Sequence, residues 1–317
     1  MHPSRLQSLA HLRDLAAQDH WQELYQRTML WEFPDEALLG FQLAFYRPFA
    51  VPRMAEILTR TGQFAQATEK RSYDTGLIMY EILHAGLDAP AARRMVALIN
   101  RMHRRFAIEQ EDFTYILNAF IVVPLRHVDR VGWRPLLDIE REASWRFYRR
   151  LGELMSIVTI PASYRDAERM FDDYEQRMVA PSPQGRQLGD AVLRVLRRRL
   201  PLPLRPIAGR VNAALIGDQL ISEAIGLPAA GGAATLITTM ANFNAFRTRR
   251  RPAPQQSWFT PGQAAGQIYP HGYQLADLGD GSAGESGERT ASPRDATDHQ
   301  PDVDGRTRKR KPATGTG

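Results

Sequence analysis

The sequence predicts an all-α fold, a helical bundle of about ten helices, and three observations predict it. Apolar residues recur at helical spacing from Pro3 to about Arg247. No run of alternating strand residues bounded by hairpin turns interrupts that pattern. Proline and glycine fall at intervals that suit helix ends. With 317 residues, 43% of them hydrophobic, the chain has ample material for a packed core.

In order, the periodicity places helices at about 4–28, 35–47, 51–60, 70–85, 89–107, 111–122, 136–152, 163–179, 187–200, 206–222 and 232–247. Pro34 opens the second, and Pro48 and Pro52 separate it from the third. Gly62 closes the third, and Gly86 with Pro90 turns the fourth into the fifth. The acidic string Glu109, Glu111 and Asp112 suits the N-terminus of the sixth, where carboxylates complement the helix dipole. Pro124 reads as its end, and Gly132 with Pro135 as the break before the seventh. Pro161, and then Pro181 with Pro183, bound the eighth. The uncharged stretch Ala224 to Phe243 is long enough to span a bilayer, but Pro228, Gly231, Gly232 and Asn242 make it poorly hydrophobic, so it reads as a loop followed by a buried helix.

The expected organisation is a helical domain over 1–250 and a tail over 251–317. After Arg251 the chain turns to Pro, Gly, Ser, Asp and Gln, which bury too little surface to offset chain entropy. That tail is expected to be mostly disordered, with Trp258, Phe259, Tyr269 and Tyr273 able to dock its first part on the body.

Charge and composition exclude several classes. The net charge of +6 gathers in runs such as Arg197-Arg198-Arg199, Arg249-Arg250-Arg251 and Arg308-Lys309-Arg310-Lys311. No zinc pattern, RNA-binding aromatic signature or heptad accompanies them, so they read as solvated faces and no nucleic-acid partner is expected. Cysteine is absent, which removes disulfides, iron–sulfur clusters, thiolate-ligated haem and cysteine nucleophiles together. The sequence holds no nucleophile elbow, no H-E-x-x-H, and no Walker or dinucleotide fingerprint. Residues 1–30 carry charges throughout and no signal-peptide core, so a cytoplasmic protein without stable membrane insertion is expected.

Two clusters carry possible chemistry. In Ala91–Ala107 a helix would align Val96, Ile99, His103, Phe106 and Ala107 on one stripe, pointing His103 at the core, where an imidazole needs a hydrogen bond or a metal. In Lys70-Arg71-Ser72-Tyr73-Asp74-Thr75-Gly76, Arg71 and Thr75 stand one turn apart on the face that continues into Ile78 and Ile82, with Asp74 placed to pair with Arg71. A structural histidine and an Arg–Asp pair closing a helix end are the alternative readings of the two clusters.

The order of short motifs resembles the mpaB-type oxygenase and rubber oxygenase (latex-clearing protein) family. It runs through Tyr46-Arg47-Pro48-Phe49-Ala50-Val51-Pro52-Arg53, Thr61-Gly62, the 70–76 motif, Ile99-Asn100-Arg101-Met102-His103, Glu111-Asp112-Phe113-Thr114-Tyr115, Gly132-Trp133-Arg134-Pro135 and Ile160-Pro161-Ala162-Ser163. The likeness covers about residues 30–225.

The resemblance implies a helical bundle enclosing a haem pocket, with haem b, its iron held by His103 as axial ligand, and Arg71 and Thr75 in the pocket. It implies an oxygenase-like oxidoreductase that takes dioxygen and a small hydrophobic substrate. Arg71 and Thr75 would then offer hydrogen bonds to dioxygen or to an anchoring network, and Asp74 would orient Arg71 or carry a proton. The sequence departs from the latex-clearing branch at one position: those proteins carry a lysine able to reach the distal side of iron just before the matching threonine, and here that residue is Asp74. The glutamate base of that branch has no match in this sequence; Glu56 and Glu69 are nearby in sequence. The competing readings are a haem-binding sensor or carrier without turnover, and a helical binder of nucleic acid or of a membrane surface.

Overall fold

A computed structural model describes residues 2–60, 68–263 and 268–278. Among them every regular element is helical. The helices are α1 (Pro3–Ala17), α2 (Trp21–Arg27), α3 (Pro34–Tyr46), α4 (Pro52–Arg60), α5 (Thr68–Ala85), α6 (Pro90–His103), α7 (Gln110–Val131), α8 (Asp138–Leu154), α9 (Tyr164–Met178), α10 (Pro183–Arg199), α11 (Ala208–Ile216), α12 (Gln219–Ala224) and α13 (Gly232–Arg250). The all-α expectation holds.

The core is built around α7. Leu117, Ala119, Ile121, Val122, Val123 and Leu125 are buried, so apolar residues cover every face of this helix and α3, α8 and α9 pack about it. Pro124 does not end the helix as its chemistry suggests; it lies inside α7. A Cβ on Gly40 of α3 would come within 2.6 Å of the Pro124 Cα, so the missing side chain lets the two backbones meet at that proline. The packing of α3 there holds the chain helical through the residue that would otherwise break it.

Other boundaries follow local chemistry. The single helix expected over 4–28 is two, because Asp19 takes a left-handed conformation, φ 58°, between α1 and α2. The helix expected over 206–222 is also split, at Gly217, φ 65°. A side chain at Gly217 would strike the guanidinium of Arg130, which donates to the Leu215 carbonyl at 2.7 Å and so caps α11. Residues 232–250 are helical, but α13 is not the buried helix expected; Ala245 is its one buried residue.

The motif arginines join helices. Arg47 donates to Glu175 of α9 at 3.0 Å and to Asp218 at 2.8 Å, and Tyr115 donates to the same glutamate at 2.8 Å. Arg53 of α4 pairs with buried Asp112 of α7. Arg134 forms a two-point pair with fully buried Glu140 at 2.6 and 2.8 Å.

Residues 252–263 and 268–278 lie on the helical body through the aromatic residues named above. Phe259 and Tyr273 are buried and Phe259 stacks on Tyr80 of α5 at 5.3 Å. The Trp258 amide donates to the Leu30 carbonyl at 3.1 Å.

Candidate functional site

The two sequence clusters lie on α5 and α6, which pack together across a four-residue connection. Gly86 makes that turn possible with φ 78°. Helix α2 braces it: the Gln22 side chain accepts from the Leu87 amide at 2.9 Å, and Gln26 donates to the Leu83 and His84 carbonyls at 2.9 and 3.1 Å. So short a link makes the helices antiparallel neighbours. Residue 72 stands as far before Ala85 as His103 stands after Pro90, a run of about 20 Å at 1.5 Å per residue. The hairpin therefore carries residues 71–75 and His103 to the same end, away from the turn.

His103 is the last residue of α6, not a mid-helix residue as expected, because the helix stops four residues early. Phe106 and Ala107 fall in the following turn instead of extending the stripe. The imidazole is half-buried, short of the core position predicted, and meets the Phe113 ring edge-on with centroids 5.4 Å apart. Arg101 and Arg104, close to it in sequence, are exposed.

On α5, Thr75 is half-buried and Asp74 buried. The Arg71 side chain lies outside the described residues, so the expected Arg71–Asp74 pair does too. The Asp74 carboxylate accepts from Tyr269 at 2.6 Å on Oδ1 and from Lys70 at 2.7 Å on Oδ2. Burial works against the charge of Lys70, but Asp74 and Tyr269 outweigh it and hold its pKa above the ordinary value. Burial, with the hydrogen bond to Asp74, raises Tyr269. Two turns along α5, Glu81 accepts from Tyr273 at 2.6 Å. On a helix, residues 74 and 81 stand about 60–80° around from the line through 71, 75 and 78, so Asp74 lies on the flank that the C-terminal segment covers.

Of the two nearby glutamates, Glu56 is exposed in an i,i+4 pair with Arg60, and the Glu69 side chain lies outside the described residues. Lys70 and Tyr269 are the partners sequence reasoning missed. The i,i+4 spacing of Lys70 and Asp74 could have revealed the first; Tyr269 sits in a Gly/Pro-rich stretch with no period to align it.

Among the described residues no group of three or more His, Asp or Glu is gathered for a metal ion. Haem asks less of the protein: one axial donor, an apolar wall and cations for its propionates. A half-buried imidazole at the end of α6, backed by Phe113, fits the axial donor of that set.

Residues 34–248 match the profile of the family described as ER-bound oxygenase mpaB/B'/rubber oxygenase, catalytic domain. Among curated relatives, an ER-bound oxygenase mpaB' of Penicillium brevicompactum is 28% identical over 207 residues, covering 60% of this chain and 49% of its own. An ER-bound oxygenase mpaB of Penicillium roqueforti (strain FM164) is 27% identical over 216 residues, covering 62% of this chain and 72% of its own. The chain thus spans about half the length of the first relative. A latex clearing protein solved in its closed state aligns with a TM-score of 0.49 and 19% identity, over 78% of this chain and 69% of that one.

Proposed function

Because the chain belongs to the mpaB and rubber oxygenase catalytic-domain family, we propose that it is a haem b-dependent oxidoreductase that uses dioxygen on a small hydrophobic substrate, with His103 as the axial ligand. The observation that carries this reading is the α5–α6 hairpin, which puts residues 71–75 and His103 at one end of one supersecondary unit. Haem bound there would supply the one-electron and dioxygen chemistry that no side chain of this protein can provide.

The protein's own residues would bind and orient. His103 presents an imidazole nitrogen from a helix end, and Phe113 packs on that ring and fixes its plane. Thr75 holds a hydroxyl at the same end of α5, one turn after Arg71. Asp74 acts as a positioning residue, tying the first turns of α5 to Lys70 and Tyr269. No helix among the described residues is long and apolar enough to cross a membrane. The working place proposed is the cytoplasm.

The test is an absorption spectrum of protein purified from haem-replete cells, followed by oxygen uptake with a panel of apolar alkenes. A Soret band is expected in the wild type and lost or much weakened in His103→Ala. A folded, colourless wild type overturns the reading, and full retention of the band in His103→Ala moves the ligand elsewhere.

A further inference from the structure

Helix α13 is built the wrong way round for a helix of a protein interior. The side it turns to the body carries mostly small residues, with Ala233, Ile237, Ala241 and Thr248 partly covered and Ala245 buried. The large apolar residues Leu236, Met240, Phe243 and Phe246 recur at helical spacing on the outer side and are 52–62% exposed. Helix α11, on which α13 packs, also meets the 3-10 turn Leu202–Ile207, where Leu202, Leu204 and Ile207 are exposed as well. A surface of this apolar content on a protein in water marks an interaction site.

Charge indicates what it meets. Residues 191–217 hold six arginines and residues 224–251 hold four, and neither stretch contains a single Asp or Glu. Arg197, Arg198, Arg205, Arg247 and Arg250 are exposed and have no carboxylate partner among the described residues. Two of these guanidinium groups lie over exposed rings of the same helix, Arg247 at 5.9 Å from the Phe243 centroid and Arg250 at 3.5 Å from that of Phe246. Large apolar side chains bordered by cations match the boundary layer of an anionic bilayer, where rings enter the acyl edge and arginines meet phosphates. A second copy of the chain fits poorly, because pairing through this face would oppose two arginine fields with no acid between them.

We propose that α13, with the adjoining 202–207 turn, docks this protein in the plane of an anionic lipid surface. The helix lies along the interface and does not span it, consistent with the absence of a membrane-crossing helix among the described residues. The inference stands on this face alone and not on the haem reading.

Co-sedimentation of the full chain with vesicles tests it, using phosphatidylcholine alone and phosphatidylcholine with about one-third phosphatidylglycerol. Binding is expected only to the anionic vesicles, falling as salt rises. Leu236→Ser/Met240→Ser/Phe243→Ser and Arg247→Gln/Arg250→Gln should each weaken it by about tenfold or more, with unchanged circular dichroism. The salt and lipid dependence of the wild type decides the matter even where a variant fails to fold. Failure of the wild type to bind anionic vesicles at low salt overturns the proposal, as does undiminished binding by both folded variants. Two further results overturn it: a solution dimer that the apolar variant dissociates without lipid, and binding to an RNA oligonucleotide with none to vesicles.

Discussion

His127 is buried on α7, and Arg130 donates to its Nδ1 at 3.1 Å, which requires the neutral ring. Burial and the neighbouring Arg130 push its pKa down to about 4 from 6.5. The unfolded chain therefore takes up this proton first. Stability contributed by the neutral ring is complete above about pH 6.5 and is lost as pH falls toward about 4, by about 3 kcal/mol in all. Denaturant titrations across that window should show the loss, and His127→Gln should flatten it. At the candidate site, Asp74→Asn should cost about 1–2 kcal/mol in the same assay and spare haem content, since it weakens the hold on Lys70 and Tyr269 and touches no proposed ligand. Single residues were legible in the sequence to different degrees. The helical frame of residues 71–75 and His103 could be read from spacing, because an α-helix fixes which residues share a side. The half-buried state of His103 could not, because it depends on where α6 stops, and four residues of helix decide whether an imidazole is enclosed.

Between elements, the long-range ionic clamps carry the most exposed risk. Arg47 and Glu175 are each under a tenth exposed, so removing Arg47 leaves a buried carboxylate without its cation, whereas removing Glu175 still leaves Arg47 with Asp218 at 2.8 Å. Arg47→Met should cost about 3–5 kcal/mol, a fall in Tm on the order of 10 °C. Arg47→Met/Glu175→Met should recover most of it, and thermal melts of the single and double variants check this. Gly217→Ala should cost about 2 kcal/mol, since alanine must adopt positive φ and displace Arg130 from the end of α11. Helix ends set by proline and glycine were readable ahead of the structure: α3, α4 and α9 begin or end within about a residue or two of expectation. The exceptions share a cause. Pro124 stays helical because Gly40 of another helix comes to meet it, and α13 stays outside the core because its small side faces inward. Both depend on the partner surface, and a one-dimensional pattern does not contain the partner.

At the scale of the molecule, the first part of the stretch after Arg251 docks through aromatic residues that the sequence singles out. It is poor in apolar residues, yet Phe259, Tyr273 and Leu278 are buried, and two tyrosine hydroxyls reach carboxylates on α5. Ending the chain after residue 260 should therefore destabilise it on the order of 3 kcal/mol, since it removes Tyr273, Leu278 and both hydrogen bonds. A Tm fall of about 5–10 °C is expected by differential scanning fluorimetry. An unchanged Tm would show that this segment only rests on the surface.

Those same hydrogen bonds set an order of events during synthesis. Tyr269 and Tyr273 lie 195 and 192 residues after their partners Asp74 and Glu81, whereas the α5–α6 hairpin closes over a four-residue link. Local contacts form early and distant closures late. A nascent chain halted on the ribosome after α9 should already hold the hairpin, while Asp74 and Glu81 still face water. Protease digestion of chains arrested at increasing lengths should show protection of α5 in two steps, the second arriving only once Tyr273 has cleared the exit tunnel. The end of the hairpin that carries Thr75 and His103 is thus completed by some of the last described residues to be made.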